Sequence, residues 1–127
     1  MKTRSLGESF RCAVQGVRAV LATERNMRIH FAAAATVLAA SAALRVSGPE
    51  LACLVIAIAL VLICELVNTA LEAVCNLACS TWEIRVKTVK DIAAGTVLVS
   101  AAAAAAVGCA VLGPRLLAVA RSLLGPL

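Results

Sequence analysis

Fourteen consecutive apolar residues, from Leu51 to Cys64, are followed directly by Glu65, and a second carboxylate, Glu72, comes one heptad later. Because a helix of about 20 mostly apolar residues crosses the hydrocarbon core, this segment is predicted to lie in a membrane. A carboxylate inside such a segment is costly and is typical of a functional site. Glu65 is therefore the strongest indication of function in the chain.

The polar residues after the apolar run share one face of the predicted helix. At 100° per residue, positions 65, 68, 72 and 76 fall within a narrow sector. We call this set the polar stripe: Glu65, Asn68, Glu72 and Asn76. By spacing alone, the stripe fits phosphoryl transfer to a membrane-embedded hydroxyl, with Glu65 as general base. It fits a proton or cation site equally well, and interhelical hydrogen bonding is a third interpretation.

The composition indicates an integral membrane protein, since 62% of the 127 residues are hydrophobic and only 15% are charged. We expect a single all-α domain over residues 1–127. Its three membrane spans are predicted at about residues 29–46, 51–76 and 92–113. Ser47-Gly48-Pro49-Glu50 predicts a short turn between antiparallel neighbours. Gly113-Pro114 is predicted to end the third span, followed by a basic tail over residues 114–127.

Two segments are predicted to lie at the membrane surface. From about residue 8 to residue 25, apolar residues recur at helical spacing with basic residues opposite, which is typical of an amphipathic surface helix. The connection over residues 78–90 carries charged side chains and is expected in water or at the headgroups. In that connection, Lys90-Asp91 could simply begin the third helix, with Asp91 as its N-cap. Glu24 and Arg28 could likewise form a surface pair.

The distribution of basic residues predicts the orientation. Six precede the first span, three occupy the second connection, and a single one lies near the first turn. The positive-inside rule therefore places the N-terminus and the second connection in the cytoplasm. The formal net charge of +5 follows from this topology and does not indicate nucleic-acid binding, because the three aromatic residues offer no stacking platform.

Three blocks of the sequence resemble the small prokaryotic diacylglycerol kinases, a family that includes undecaprenol kinases. The first is Glu24-Arg25-Asn26-Met27-Arg28-Ile29-His30, preceded by Gly16. The second runs from Glu65 to Val74, and the third is Val89-Lys90-Asp91-Ile92-Ala93-Ala94-Gly95. Their order agrees with the family over about residues 10–98. The resemblance implies a surface helix and three membrane helices in the bacterial cytoplasmic membrane, assembled as a homotrimer with active sites between subunits.

The resemblance also implies roles for individual residues of a kinase that uses ATP and Mg²⁺. Glu65 resembles the base that accepts the proton of the lipid hydroxyl, and Asn68 the residue that orients the reacting groups. Glu24 and Glu72 resemble the metal ligands. The remaining matches fall at the nucleotide site: Lys90 on phosphate, Asp91 towards the nucleoside, and Thr81, Trp82 and Glu83 in the nucleotide loop.

The chain departs from the family pattern at two nucleotide-site positions. Asn76 stands where the family usually has aspartate, and Cys12 stands where a tyrosine often lines the site. Asparagine keeps a hydrogen-bond acceptor but loses the charge, so we expect it to bind a ribose or water and not a cation.

The resemblance favours a kinase that transfers the γ-phosphoryl group of ATP to diacylglycerol at the cytoplasmic membrane face, giving phosphatidic acid. The alternative substrate is undecaprenol, because the Glu24–His30 block resembles members with that specificity. Two non-kinase hypotheses remain: a catalytically silent membrane oligomer and a small proton-coupled transporter.

Overall fold

The computed structural model describes residues 5–79 and 83–125, which form four helices in chain order. They are α1 (Leu6–Thr23), α2 (Arg25–Ala43), α3 (Gly48–Ala78) and α4 (Ile84–Leu124). Within these ranges no strand occurs, so the all-α prediction is confirmed. Two helices, α3 and α4, are long and apolar enough to cross a membrane; α2 does not meet that description.

Helix α1 agrees with the predicted surface helix, although it begins and ends two residues earlier. Ser5 caps its first turn, accepting from the backbone N–H of Glu8 at 3.3 Å while the Glu8 carboxylate accepts from the Ser5 N–H at 2.9 Å. None of its residues is buried against the rest of the chain, and Phe10 is 73% exposed. An amphipathic helix with an uncovered apolar face is suited to a membrane surface.

The connection between α2 and α3 is the short turn that the sequence predicts. Helix α2 ends at Ala43, and α3 begins at Gly48 with Pro49 in its first turn. Arg45, and not Gly48, adopts the left-handed backbone conformation in this turn, with φ of 51°. The Val46 N–H donates to the Ser41 carbonyl at 3.0 Å, which satisfies one of the last carbonyls of α2.

Helices α3 and α4 pack along each other and form most of the interior. The buried positions of α3 recur at helical spacing along one face, and they include two polar side chains: Leu54, Val61, Glu65 and Asn68. The buried positions of α4 are Ala93, Val97, Ser100 and Leu112. Two of these α4 residues, Ala93 and Ser100, are small, which allows close approach of the two backbones.

Helix α4 extends beyond the predicted third span at both ends. It begins at Ile84 and not at residue 92, so most of the predicted second connection is helical; no glycine or proline interrupts residues 84–91. It also continues through Gly113-Pro114 to Leu124, so residues 114–124 of the predicted tail belong to the same helix. At 1.5 Å per residue its 41 residues extend about 61 Å, well beyond the hydrocarbon core.

A long-range ion pair accompanies the continuation of α4 past Pro114. The Arg115 guanidinium donates to both Glu50 carboxylate oxygens, from Nη1 at 3.1 Å and from Nη2 at 2.7 Å. Nη1 also donates to the Val111 carbonyl at 2.8 Å. A two-pronged arginine–carboxylate contact fixes geometry better than a single bond. Arg115 therefore joins the start of α3 to α4 at the end of the bundle remote from the α3–α4 connection.

We expect Arg115→Met to lower the melting temperature by a few degrees, because both prongs of this contact are lost while the aliphatic stem is retained. The measurement is thermal unfolding in detergent. Arg121→Met, which removes the same charge from the exposed last turn of α4, is the control and should have little effect. Equal effects of the two substitutions would contradict a specific role for the Glu50 contact.

Candidate active site

A small cavity lies between α2, α3 and α4 at the level of Glu65 and Asn68. Its volume is about 300 Å³. Asn26 and His30 reach it from α2 and Glu65 and Asn68 from α3, while the α4 wall consists of small or apolar residues: Ala94, Val97, Leu98 and Ala101. We call this space the polar cavity, because four polar side chains converge in it.

Glu65 and Asn68 are buried in the polar cavity, with side-chain oxygens that lack partners. Glu65 is 2% exposed and Asn68 is 9% exposed. Among the described residues, no group donates a hydrogen bond to Glu65 Oε2 or to Asn68 Oδ1. Both atoms are acceptors, and burying an unpaired acceptor costs free energy. The pair is therefore suited to a ligand that donates a hydrogen bond, such as an alcohol.

Three ionisable side chains lie close enough to Glu65 to interact with its charge: His30, Glu24 and Glu72. His30 and Asn26 are four residues apart on α2 and so share a face. The sequence analysis named both residues only as members of the Glu24–His30 block and placed neither of them in the site. Their spacing within the Glu24–His30 block was the available signal, but the face that α2 turns towards α3 is a tertiary property.

Glu24 lies between α1 and α2, where the chain changes direction. Its N–H donates to the Val20 carbonyl at 2.8 Å, and its Oε1 accepts from the Thr23 hydroxyl at 3.0 Å. Arg28 does not form the surface pair with Glu24 that was one interpretation of the sequence. Its guanidinium donates instead to the Leu21 and Ala22 carbonyls, at 3.4 and 2.8 Å. The carboxylate of Glu24 thus keeps an oxygen for another ligand.

The outer end of the polar stripe contacts α4. Lys90 Nζ donates to Asn76 Oδ1 at 2.7 Å, linking residues fourteen positions apart across the α3–α4 connection. Asn76 thus accepts a hydrogen bond at the position where the family usually has aspartate. Lys90 is half-buried and Asn76 is exposed. The Asn76 amide fixes the position of the Lys90 ammonium group near the α3–α4 connection without neutralising its charge.

The other predicted nucleotide-site residues are more dispersed. Asp91 lies inside α4 and pairs with Lys87, so its alternative role as an N-cap is wrong; Glu83 is the N-cap residue instead. The Glu83 carboxylate lies 3.9 Å from Arg85 Nε. Cys12 is half-buried on α1. The nucleotide-loop residues Thr81 and Trp82 lie outside the described residues.

The donor set can be tested against a magnesium ion. In residues 5–79 and 83–125, no group of three or more acidic, histidine or cysteine side chains is close enough to form a metal cage. Mg²⁺ in nucleotide sites is commonly held by one or two carboxylates together with substrate phosphates and water. Glu24 and Glu72, both half-buried and both near Glu65, fit that requirement. Asn76, which is neutral and already bonded to Lys90, does not.

The sequence matches the family of prokaryotic diacylglycerol kinases over residues 11–112. It is 43% identical over 110 residues to a diacylglycerol kinase of Synechocystis sp., and the alignment covers 86% of this chain but only 63% of that protein. It is 33% identical over 109 residues to an undecaprenol kinase of Bacillus subtilis, covering 86% of this chain and 89% of that protein. The chain belongs to the prokaryotic diacylglycerol kinase family, which confirms the resemblance found in its sequence.

The unpartnered oxygens in the polar cavity predict that Glu65→Gln raises the melting temperature by several degrees. A buried polar group without a partner costs about 1–3 kcal/mol, and a carboxylate costs more than a neutral amide. Thermal unfolding of the protein without substrates is the measurement. Glu72→Gln, which alters a half-buried carboxylate, should change the melting temperature less. Destabilisation by Glu65→Gln would show that the carboxylate is satisfied in the folded protein.

Proposed function

We propose that this protein is an ATP-dependent lipid kinase that phosphorylates diacylglycerol at the cytoplasmic membrane face and produces phosphatidic acid. The observation that carries the proposal is the pair of unpartnered acceptors, Glu65 Oε2 and Asn68 Oδ1, buried between apolar helices. A lipid hydroxyl would donate its one proton to Glu65 Oε2. Membership of the kinase family and the 43% identity to a diacylglycerol kinase support the same reaction.

In this mechanism Glu65 accepts the proton of the lipid hydroxyl, while the hydroxyl oxygen forms a bond to the γ-phosphorus of ATP. The bond from that phosphorus to the β,γ-bridging oxygen breaks, and ADP leaves. Asn68 orients the hydroxyl from the next turn of α3. Since phosphoryl transfer depends mainly on positioning and on charge neutralisation, a small set of side chains suffices.

The nucleotide would lie at the outer end of the polar stripe. Glu24 and Glu72 would hold Mg²⁺, which supplies charge neutralisation on the phosphates when bound. Lys90 would contact a phosphate oxygen, with Asn76 fixing its position. Asp91 and the loop residues Thr81, Trp82 and Glu83 would contact the nucleoside, and Cys12 would approach it from α1. The order of these positions along the chain supports the assignment.

The membrane arrangement is part of the proposal. We place the N-terminus, α1 and the α3–α4 connection on the cytoplasmic side, because basic residues concentrate there. Helix α2, 19 residues and about 28 Å long, would form the third span beside α3 and α4. A homotrimer would cover part of the apolar face that α3 exposes, which consists of Val55, Ile56, Leu60, Ile63 and Val67.

Undecaprenol is the second candidate substrate. The Bacillus subtilis undecaprenol kinase aligns with 86% of this chain, and both lipids carry one primary hydroxyl on a molecule that is otherwise mostly hydrocarbon. The same use of Glu65 and Asn68 would serve either lipid.

Glu65→Gln separates catalysis from nucleotide binding. We expect the rate of phosphate transfer to diacylglycerol to fall at least about 100-fold, since general-base catalysis contributes about 10²–10⁴-fold. Binding of Mg²⁺-ATP, measured by calorimetry, should be retained. Glu72→Gln should instead weaken Mg²⁺-ATP binding. Glu8→Gln, which alters the exposed cap of α1, is the control for loss of a carboxylate. Full activity in Glu65→Gln would overturn the assignment of the base.

Lys90→Met tests the proposed phosphate contact. We expect KM for ATP to rise about tenfold or more, because a charge-assisted contact contributes about 1.5–3 kcal/mol. KM for diacylglycerol should change little. Arg85→Met removes the same charge from a side chain that is 90% exposed and should leave both values near those of the unmodified protein. Equal effects of the two substitutions would show that Lys90 acts only through its positive charge, and would contradict a specific phosphate contact.

A further inference from the structure

Helix α4 is much longer than a membrane span. Residues 92–114 contain no Asp, Glu, Lys or Arg, and at 1.5 Å per residue they extend about 34 Å, which is enough to cross the hydrocarbon core. The helix continues beyond them to Leu124. We call residues 115–124 the α4 extension. It lies outside residues 11–112, which match the kinase family, so family membership gives it no role.

A pair of charged residues marks the membrane boundary at this end of the molecule. Glu50 directly precedes the apolar run of α3, and Arg115 directly follows the uncharged residues 92–114 of α4. Their side chains are bonded, with Arg115 Nη2 2.7 Å from Glu50 Oε2, and both are partly exposed. Because charged groups are costly in hydrocarbon, this pair is expected at the level of the headgroups. The α4 extension therefore begins where α4 leaves the hydrocarbon core.

The α4 extension is amphipathic. At 100° per residue, positions 116, 117, 119, 120, 123 and 124 fall within a sector of about 160°, which we call the leucine face. The opposite sector holds Arg115, Ala118, Arg121 and Ser122. A leucine-rich face opposite arginine is typical of a helix that lies in a membrane surface. The large side chains of the leucine face are 43–84% exposed: Leu116, Leu117, Val119, Leu123 and Leu124.

Neither water nor the hydrocarbon core suits this segment. A straight continuation would carry Leu124 about 14 Å beyond Arg115, past a headgroup region that is about 5–7 Å deep on each side of the bilayer. A single tilted span from Ile92 to Leu124 would be about 50 Å long, and a tilt of about 40° would still leave it about 8 Å longer than the core. Such a span would also bury Arg121. The membrane surface accommodates both the leucine face and the arginine.

The chain contains a point at which the α4 extension can turn towards the surface. Pro114 has no N–H to donate to the Ala110 carbonyl, and Gly113 beside it has a low helix propensity. Sharp bends in helices occur mostly at proline and glycine. A bend at Gly113-Pro114 directs the α4 extension away from the line along which α4 crosses the membrane.

We propose that the α4 extension binds the lipid surface at the end of the molecule remote from the α3–α4 connection. Its leucine face lies at the boundary between headgroups and acyl chains, and Arg121 contacts lipid phosphates. Among the described residues, Arg121 forms no ion pair with a carboxylate, so its charge is available to a phosphate. Arg45, exposed in the turn before α3, adds a second such cation at the same end.

The partner in this proposal is the bilayer and not a second copy of the chain. The α4 extension continues directly from a segment that crosses the membrane, so the lipid surface adjoins it from its first residue. The inference goes beyond the proposed function, because it involves neither the nucleotide nor the lipid that is phosphorylated.

Tryptophan fluorescence distinguishes the two faces of the α4 extension. Leu123→Trp and its control Ala118→Trp place the probe on opposite faces, each in a Trp82→Phe chain, which contains no other tryptophan. The protein is studied in nanodiscs of phosphatidylcholine and phosphatidylglycerol. We expect lipids brominated near the start of the acyl chain to quench Leu123→Trp at least about threefold more than Ala118→Trp, since the leucine face would lie about 5–10 Å into the boundary. Acrylamide, which quenches from water, should show the reverse order.

Three results of the fluorescence experiment would overturn the proposal. Quenching of both probes by acrylamide alone would place the α4 extension in water. Equal quenching of both probes by lipid, stronger when the bromine is near the end of the acyl chain, would place it inside the hydrocarbon core. Protection of Leu123→Trp from both quenchers would show that a second copy of the chain covers the leucine face.

A second measurement uses the unmodified protein and needs no substitution. A phosphatidylcholine with a photoreactive diazirine near the start of one acyl chain is crosslinked in the same nanodiscs, and the labelled residues are mapped by mass spectrometry. We expect labels on Leu117, Leu123 and Leu124 and none on Ser122. An α4 extension without labels, or one labelled equally on all sides, would overturn the proposal. Neither measurement includes a nucleotide, so failure of the kinase assignment would leave both results unchanged.

Discussion

The proposed function depends on a carboxylate that is buried among apolar helices without full hydrogen bonding. Glu65 is 2% exposed, and its Oε2 has no partner among the described residues. Its position is fixed by packing, because Glu65 and Asn68 occupy the same buried face of α3 as Leu54 and Val61. A group that destabilises the fold in this way is typical of a functional site, where stability is lost so that a ligand can complete the interactions.

The side chains around the Glu65 carboxylate come from α2 and α4. Small and aliphatic side chains of α4 close one side of the polar cavity, and α2 closes another with Asn26 and His30. Charged residues lie towards the end of the helices, where Lys90 is bonded to Asn76 and Glu72 continues the polar stripe. Under the proposed function, this order along α3 would separate a hydroxyl site in the membrane from a phosphate site near its surface. Such a separation suits a kinase whose acceptor is a lipid and whose donor is soluble.

Much of this arrangement is predictable from local sequence. The polar stripe, the surface helix and the turn before α3 follow from helical periodicity, caps and proline, all of which act within a few residues. The limits of α4 do not follow from such local signals. Gly113-Pro114 predicts an end, but Arg115 bonds to Glu50, 65 residues earlier, and the helix continues. The roles of Asn26 and His30 were missed for a similar reason, since the side of α2 that meets α3 is determined by tertiary packing. Family resemblance supplied the residue roles that periodicity left open.

The most direct test of the central claim is a side-by-side measurement of radiolabelled phosphate transfer from Mg²⁺-ATP to diacylglycerol and to undecaprenol, with purified protein in lipid bilayers. We expect ATP-dependent formation of labelled phosphatidic acid at a higher rate than that of labelled undecaprenyl phosphate. A higher rate with undecaprenol would keep the kinase mechanism and reverse the substrate. Transfer to neither lipid, by protein shown to be folded and oligomeric, would contradict the account.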